Sequence, residues 1–283
     1  VNSSQGLVFA LRGDTGEIRW RHPLPTHHFG HPAFHASGIV FIQTSGGELR
    51  ALNLADGSIR WKLACVFPDF PVSPVISASD ELLVCSDNKL LALEAISGRP
   101  RWSFDAPVLE TPFIAADGGI HCRTESYLET QIHEPGSTGR GRWVSHVINL
   151  HRLDAGTGKV SNSSVFSFRG GNAADIGPMP GPLVDRDGVA YVSCLEFLRI
   201  GSPLLAINLR KQQKLWEIEL PLQLRSRPVF AASGHLLMNL YFDWEAHYGA
   251  GMGYRGPTWD EGNVLLSVNR HSGAIRWKYY IQS

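Results

Sequence analysis

A string of twelve residues recurs along the chain and constrains its fold more than any other feature. ALNLADGSIRWK, at residues 51–62, closely matches ALRGDTGEIRWR upstream and SVNRHSGAIRWK near the end. Six copies end at positions 20, 61, 102, 162, 216 and 277, at spacings of 41, 41, 60, 54 and 61 residues. The last residue is tryptophan in five copies and Asn162 in the fourth copy, which is the most degenerate of the six. Self-similarity at this period indicates one supersecondary unit repeated along the chain.

The residues of each unit predict four short β-strands. Runs such as GIVFIQT and ELLVCS are apolar, rich in β-branched residues and bounded by turn residues. A proline opens each full unit, at Pro32, Pro74, Pro112, Pro182 and Pro228. No unit shows the 3.6-residue periodicity of a helix. The sequence therefore predicts an all-β chain that forms a β-propeller of four-stranded antiparallel blades, with five full repeats and a partial first blade of a ring of six to eight.

Each closing tryptophan has a small residue ten positions before it. These residues are Ala10, Ala51, Ala92, Ala206 and, in the last copy, Ser267. A large flat indole needs an uncrowded neighbour, which a small side chain provides. The fourth copy has Arg152 and Asn162 at the two positions and so lacks both members of the pair. We interpret the tryptophans as structural staples of the blades, with no binding role: Trp20, Trp61, Trp102, Trp216 and Trp277.

The pattern Ala-x-x-x-x-x-Gly-x-x-x-Trp resembles the repeat of the pyrroloquinoline-quinone (PQQ)-like propeller family. The resemblance covers essentially the full chain and implies that the tryptophan of one blade stacks against the next blade, the tryptophan-docking motif. It implies two functional classes. One consists of quinoprotein alcohol and sugar dehydrogenases; the other consists of bacterial scaffolds, among them a lipoprotein of outer-membrane protein assembly and the sensor halves of receptor kinases.

The cysteines favour the scaffold class. Many of the dehydrogenases that the chain resembles have two adjacent cysteines over the cofactor and a Glu, an Asn and an Asp around Ca²⁺. In this chain the cysteines are Cys65, Cys85, Cys122 and Cys194, of which no two are adjacent. The sequence also has no run of closely spaced carboxylates of the kind that calcium loops use. We therefore expect no cofactor, with PQQ and calcium as the alternative.

Composition limits the partners. Lys and Arg together number 26, as do Asp and Glu, so the chain has no net positive charge that would favour binding of nucleic acid. No stretch of 18 apolar residues is present that could span a membrane. Val1 aligns with Ile42, in the middle of a second strand, so we expect a single propeller domain, residues 1–283, that lacks N-terminal strands. An extracytoplasmic location is slightly favoured.

Insertions between the second and third strands lengthen three consecutive units. They fall at about residues 125–147, 195–203 and 241–263. Because strands of a meander alternate in direction, all three insertions lie at the same end of the blades as the connectors between blades. Insertions in repeat proteins map to loops on one face, often the binding face. The sequence thus predicts a binding face formed by the fourth, fifth and sixth units.

Aromatic and hydrogen-bonding residues concentrate in these insertions and in one connector. Aromatic faces interleaved with polar groups suit sugar rings or peptide side chains; the alternative is that the aromatics are buried to hold the loop in place. Two arginines of the connector could pair with an anionic ligand. The candidate binding residues are Trp143, Arg225, Arg227, Trp244, His247, Tyr248, Tyr254, Arg255, Trp259 and Asp260.

Two further chemistries remain open. His27, His28 and His31 are spaced so that they could ligate Zn²⁺ or Cu²⁺, although no cysteine or carboxylate lies close by in sequence. A histidine, two tyrosines and an arginine in the last insertion match the residue types of some polysaccharide lyases. Neither pattern has a spacing signature. We therefore expect a non-enzymatic scaffold that binds a protein partner, or a carbohydrate or small-molecule ligand; the alternatives are a PQQ-dependent dehydrogenase and a carbohydrate-active enzyme.

Overall fold

The computed structural model describes residues 2–3, 6–26, 28–67, 72–108, 111–115, 117–132, 141–170, 183–193, 202–211, 213–224, 228–241 and 263–281. These residues form twenty-four β-strands arranged in six antiparallel sheets, and none of them lies in a helix. Within this described part, no helix is long and apolar enough to cross a membrane. The predicted all-β class is therefore confirmed.

The first three sheets follow the chain in order. The first contains β1 (Asn2–Ser3), β2 (Leu7–Leu11) and β3 (Ile18–Pro23). The second contains β4 (His28–His35), β5 (Ile39–Thr44), β6 (Glu48–Asn53) and β7 (Ile59–Ala64). The third contains β8 (Val75–Ile76), β9 (Glu81–Ser86), β10 (Lys89–Glu94) and β11 (Pro100–Phe104).

The remaining sheets have the same meander order. The fourth contains β12 (Phe113–Ile114), β13 (Ile120–Ile132), β14 (Gly141–Leu153) and β15 (Val160–Gly170). The fifth contains β16 (Leu183–Val184), β17 (Val189–Ser193), β18 (Ser202–Asn208) and β19 (Gln213–Leu220). The sixth contains β20 (Gln223–Leu224), β21 (Val229–Phe230), β22 (His235–Tyr241), β23 (Asn263–Asn269) and β24 (Ile275–Ile281); both β20 and β21 pair with β22. Each full sheet thus has the strand order of a propeller blade.

The chain divides into two compact units. The first comprises Val1–Glu125 and Leu150–Ser163, and the second comprises Ser126–Asn149 and Ser164–Ser283. In the first unit, apolar cores lie between successive sheets; Phe41, Leu49 and Ala51 of the second sheet pack with Leu82 and Val84 of the third. In the second unit, one core joins the fifth and sixth sheets. The second strands β5, β9 and β17 are buried along their whole length, which explains the apolar runs in the sequence.

The small residues predicted to pair with the tryptophans do so in register. Ala10 lies opposite Trp20 and Ala51 opposite Trp61. The same register joins Ala92 to Trp102, Ala206 to Trp216 and Ser267 to Trp277. A β-bulge follows this pair in each of these sheets. The repeated sequence therefore specifies a repeated pairing of the third and fourth strands.

Four of the indoles also contact the following sheet. The indole Nε1 of Trp20 donates a hydrogen bond to the backbone oxygen of Leu54, at 2.9 Å. Equivalent bonds run from Trp61 to Ala95, from Trp102 to Ala155 and from Trp216 to Arg270, at 3.1, 3.0 and 3.0 Å. Each acceptor stands three residues before a turn glycine. A Cβ atom at those glycines would lie within 2.2–2.9 Å of an indole carbon: Gly57, Gly98, Gly158 and Gly273.

Candidate functional site

Most of the predicted ligand-binding residues lie outside the described part of the chain. Residues 242–262 are outside it, and with them Trp244, His247, Tyr248, Tyr254, Arg255, Trp259 and Asp260. Arg225 and Arg227 are outside it as well. Trp143 lies within β14, for which the structure describes the backbone but not this side chain. The binding role of these ten residues stays a prediction.

The insertion in the fourth unit is partly described. It extends β13 and β14 to thirteen residues each, whereas their counterparts β9 and β10 have six. Residues 133–140, in the middle of this insertion, lie outside the described part of the chain. The fourth unit therefore carries a longer β-hairpin than the plain units, at the end of the sheet where its second and third strands meet.

The histidine-rich connector forms structural contacts. His27 is outside the described residues, and the side chain of His28 is not described. His31 is exposed, and its backbone N–H donates to Ser73 Oγ at 2.8 Å. The nearby His35 is buried, with Nε2 at 2.8 Å from Asp80 Oδ1 and Nδ1 at 2.7 Å from Ser37 Oγ. Among the described residues, no three His, Cys, Asp or Glu side chains come together in a metal-binding group.

One position on the second strand recurs as a polar or thiol side chain in every full sheet. Ala33 of β4 and the first residues of β8, β12, β16 and β21 each pair with one residue of the neighbouring second strand. The recurring position lies two residues further along that second strand. Its occupants are Gln43, Cys85, Arg123, Ser193 and Asn239. The strand register was needed to align the five residues.

This second-strand position contains all the buried side-chain polar atoms that have no hydrogen-bond partner in the described part of the chain. They are Gln43 Nε2 and Oε1, Arg123 Nε and Asn239 Oδ1. Arg123 makes another interaction through its remaining atoms. Buried polar groups are normally satisfied by protein or ordered water, so each such atom requires an explanation. In four of the five sheets the position lies within two residues of the end of the second strand, whereas in the fourth sheet β13 continues for nine residues beyond Arg123.

The fourth sheet has a polar interior where other sheets are apolar. His121 lies at the position of Leu83 in the third sheet, and burial is the main cause that lowers its pKa to about 4; Arg152 lowers it further and Asp117 opposes the shift. His151 lies with Nε2 at 2.9 Å from Thr124 Oγ1 and Nδ1 at 2.8 Å from Ser163 Oγ. Burial lowers the pKa of His151 as well. Both histidines are therefore neutral at pH 7.

The described residues do not fit PQQ and its calcium ion. Cys65, Cys85 and Cys122 are buried and form no disulfide bond, and burial raises the pKa of the Cys65 thiol to about 11. No two of these cysteines are adjacent, so they cannot form the ring disulfide of the quinoprotein dehydrogenases. No group of three or more carboxylate, histidine or thiol ligands is present within the described ranges.

Comparisons with known proteins identify the repeat. A family model described as "Outer membrane protein assembly factor BamB" matches residues 4–279. The BamB protein of Yersinia pestis is 36% identical over 63 residues, which are 22% of this chain and 16% of that protein. The BamB protein of Xanthomonas campestris pv. campestris is 34% identical over 106 residues, or 34% of this chain and 24% of that protein. The matched segments thus span a quarter or less of these relatives.

Solved structures confirm the fold. The crystal structure of BamB from Moraxella catarrhalis matches 98% of this chain and 68% of its own, with a TM-score of 0.57 and 17% identity. The quinohemoprotein alcohol dehydrogenase ADHIIG from Pseudomonas putida HK5 matches 99% of this chain and 57% of its own, with a TM-score of 0.62 and 11% identity. Both are propellers, so the predicted fold class of four-stranded propeller blades is confirmed.

Proposed function

Because the chain belongs to the PQQ-repeat family of the outer membrane protein assembly factor BamB, we propose that it is a non-enzymatic propeller that binds a protein partner in outer-membrane protein assembly. Its place would then be outside the bacterial cytoplasm, beside the membrane that receives the assembled proteins. The observation that carries the proposal is the family match, which extends over residues 4–279. The named relatives with curated sequences both bear the BamB name.

The chemistry of the described residues supports binding over catalysis. Each titratable group with a large pKa shift has a structural explanation: burial of His121 and Cys65, and for Tyr191 burial together with a hydrogen bond to Asp185, which raise its pKa. Tyr191 donates that bond to Asp185 Oδ2 at 3.0 Å, and Arg270 lies 3.5 Å from the same carboxylate. This network joins the fifth and sixth sheets.

We place the partner at the insertion-bearing end of the sheets. The support for this placement is that the fourth, fifth and sixth units are all enlarged between their second and third strands. Its contact residues would be the ten predicted from the sequence, which include rigid aromatics of the type that dominates protein interfaces. They are Trp143, Arg225, Arg227, Trp244, His247, Tyr248, Tyr254, Arg255, Trp259 and Asp260.

The test is capture of envelope proteins by the purified chain after chemical cross-linking. The variant Trp244→Ala/Trp259→Ala removes two aromatics from the last insertion, and Tyr280→Ala removes an exposed aromatic from β24, at 61% exposure, as the matched control. We expect the unmodified chain and the control to capture the same partner and the double variant to lose most of it. Equal capture by all three proteins would contradict the proposed site, and capture of no envelope protein would contradict the function.

A quinoprotein dehydrogenase is the second candidate. It is favoured by the similarity to the quinohemoprotein alcohol dehydrogenase, but a likeness at 11% identity shows the fold alone. Two observations on the described residues count against it: the cysteines there are separated and form no disulfide bond, and no cluster of metal-binding side chains is found among these residues.

A further inference from the structure

Four of the described sheets cover their tryptophan with the sheet that follows. We call the face that carries the tryptophan the front face of a sheet and the opposite face its back face. In the first, second, third and fifth sheets the front face packs in a core with residues of the next sheet. Residues two or four positions after the tryptophan pack in the same cores: Leu24, Leu63, Cys65, Phe104, Ile218 and Leu220. A front face is therefore an apolar surface that the back face of another sheet covers.

The front face of the sixth sheet is exposed instead. Trp277 is 44% exposed, whereas Trp20 of the first sheet is buried. Tyr279 and Ile281, two and four positions later, are 63% and 38% exposed. The Trp277 indole donates no hydrogen bond to any residue that the structure describes, in contrast to the four other tryptophans of the repeat. This apolar face lies wholly within the second compact unit.

The back face of the first sheet is exposed as well. Leu11, which follows the small residue Ala10, is 42% exposed. The residues at this position in the five other copies are at most 1% exposed, and they are Leu52, Leu93, Leu153, Ile207 and Val268. Leu52, for example, packs in one core with Trp20 of the preceding sheet. Leu11 thus has the place of a residue that a preceding front face would bury, and it lies wholly within the first compact unit.

The turn before β3 lacks its indole. In the equivalent turns the glycine lies against a tryptophan ring, and the residue three positions before it accepts the Nε1 hydrogen bond. A Cβ at Gly16 would meet no atom within 4 Å, and no described indole bonds to Gly13, three positions before it. Gly16 nevertheless has φ of +73°, within the range of +67° to +74° of the four other turn glycines. The turn has the backbone shape of an indole acceptor without the indole.

We propose that the front face of the sixth sheet binds the back face of the first sheet of a second copy of this chain, with Trp277 on the turn of residues 12–17. The occupant follows from the other sheets. Five tryptophans and five turn glycines of the repeat are described, and four of each are paired. The unpaired indole is that of Trp277, and the unpaired glycine is Gly16. Each exposed face therefore matches the kind of surface that covers its equivalents.

The two faces are different surfaces, so the contact is head-to-tail. A copy that binds through its sixth sheet keeps its first sheet available for a further copy, and such heterologous contacts can extend beyond two copies. The contact residues are apolar, so association should persist at high salt concentration. It needs no envelope protein and is independent of the proposed function.

The experiment measures self-association of the full chain by sedimentation velocity from about 1 to 100 μM, a range in which an interface of ordinary size is populated. Trp277→Lys places a charge on the front face of the sixth sheet, and Leu11→Lys places one on the back face of the first. Tyr280→Lys, at an exposed position on the opposite face of β24, is the control for the first variant. Ile59→Lys, at a position 45% exposed in the second sheet, is the control for the second.

We expect the unmodified chain and both controls to associate as concentration rises, and each of the two face variants to associate at least about tenfold more weakly, because docking would bury the introduced charge. A mixture of Trp277→Lys and Leu11→Lys should associate again, since each variant keeps the face that the other has lost. The mixed complex should stop at two copies. A variant that had merely failed to fold could not restore association in this way.

Three results would overturn the inference. A chain that stays monomeric over the whole concentration range would show that the two faces do not bring copies together. Equal association of all five proteins would place the contact on another surface. A mixture of the two face variants that stays monomeric, although circular dichroism shows both to be folded, would show that the front face of the sixth sheet does not bind the back face of the first.

Discussion

Gly158 and Gly16 occupy the same turn position in two copies of the repeat, with φ of +67° and +73°. They differ in what a side chain would meet. A Cβ at Gly158 would lie 2.2 Å from Cε3 of Trp102, whereas a Cβ at Gly16 would meet no atom within 4 Å. Replacing each glycine by alanine therefore separates the conformational requirement of the turn from the requirement of the indole.

The expected losses of stability follow from these contacts. Both alanines must adopt a left-handed conformation, at a cost of about 1–2 kcal/mol. At Gly158 the indole must also move, which breaks the bond from Trp102 Nε1 to Ala155 at a cost of about 1 kcal/mol and removes about 1–2 kcal/mol of aromatic packing. We expect Gly16→Ala to lower the free energy of unfolding by about 1–2 kcal/mol and Gly158→Ala by about 3–5 kcal/mol.

Urea unfolding at fixed pH, followed by far-UV circular dichroism, measures both losses. Trp102→Ala provides the internal control, because Gly158→Ala in that background should cost only as much as Gly16→Ala. Equal losses for the two glycine variants in the unmodified background would refute the reasoning. The turn alone would then explain the glycine, and the contact between indole and glycine would contribute nothing to stability.

The remaining predictions concern charge inside the sheets. Burial lowers the pKa of His121 from 6.5 to about 4, so the stability that depends on its neutral ring is fully present above pH 6.5 and is lost as the pH falls toward 4. The loss should reach about 3 kcal/mol in thermal unfolding measured at a series of pH values. His121→Leu should reduce the dependence of stability on pH over this range. Asp185 accepts hydrogen bonds from Tyr191 and from the backbone of Val189, and its side chain is 3% exposed. Asp185→Asn should therefore cost about 2 kcal/mol in urea unfolding; a loss below about 0.5 kcal/mol, which is typical of surface substitutions, would contradict the network.

The repeat made the fold predictable from the sequence. Each tryptophan follows a small residue by ten positions, and this spacing predicted how the third and fourth strands pair. The prolines predicted where the first strands begin. Four of the five first strands begin directly after the proline, whereas β4 begins earlier and includes Pro32, with a shift in register between Phe29 and Ala33. A bulge of this kind has no sequence signal strong enough to predict.

The second role of the turn glycine could not be predicted, because it depends on a neighbouring sheet. The structure explains a detail that the sequence left open. The fifth copy has Gln212 in place of the turn glycine, and the fourth copy, which precedes it, has Asn162 in place of the tryptophan. The worn fourth copy keeps Gly158 because Trp102 of the preceding copy contacts it. Loss of the indole and loss of the glycine therefore occur together along the chain.

The candidate site was less predictable. The insertions were visible as breaks in the period, but sequence order does not show which of their aromatics lie together. The unsatisfied atoms of Gln43 and Asn239 were missed because each residue looks unexceptional alone. They become a pattern only when the register places them at one position of successive second strands. Burial and pairing, which decide whether a polar group is satisfied, are properties of the folded chain.

Thermal unfolding of the chain with and without PQQ and Ca²⁺ tests most directly the claim that this propeller binds a partner and is not a quinoprotein dehydrogenase. A ligand present at about 100 times its dissociation constant stabilises the folded state by about 2.7 kcal/mol, which gives a readily measured rise in the midpoint. The account predicts the same midpoint with and without the cofactor and the ion. A clear rise that requires both would contradict it and would assign the chain to the dehydrogenase class.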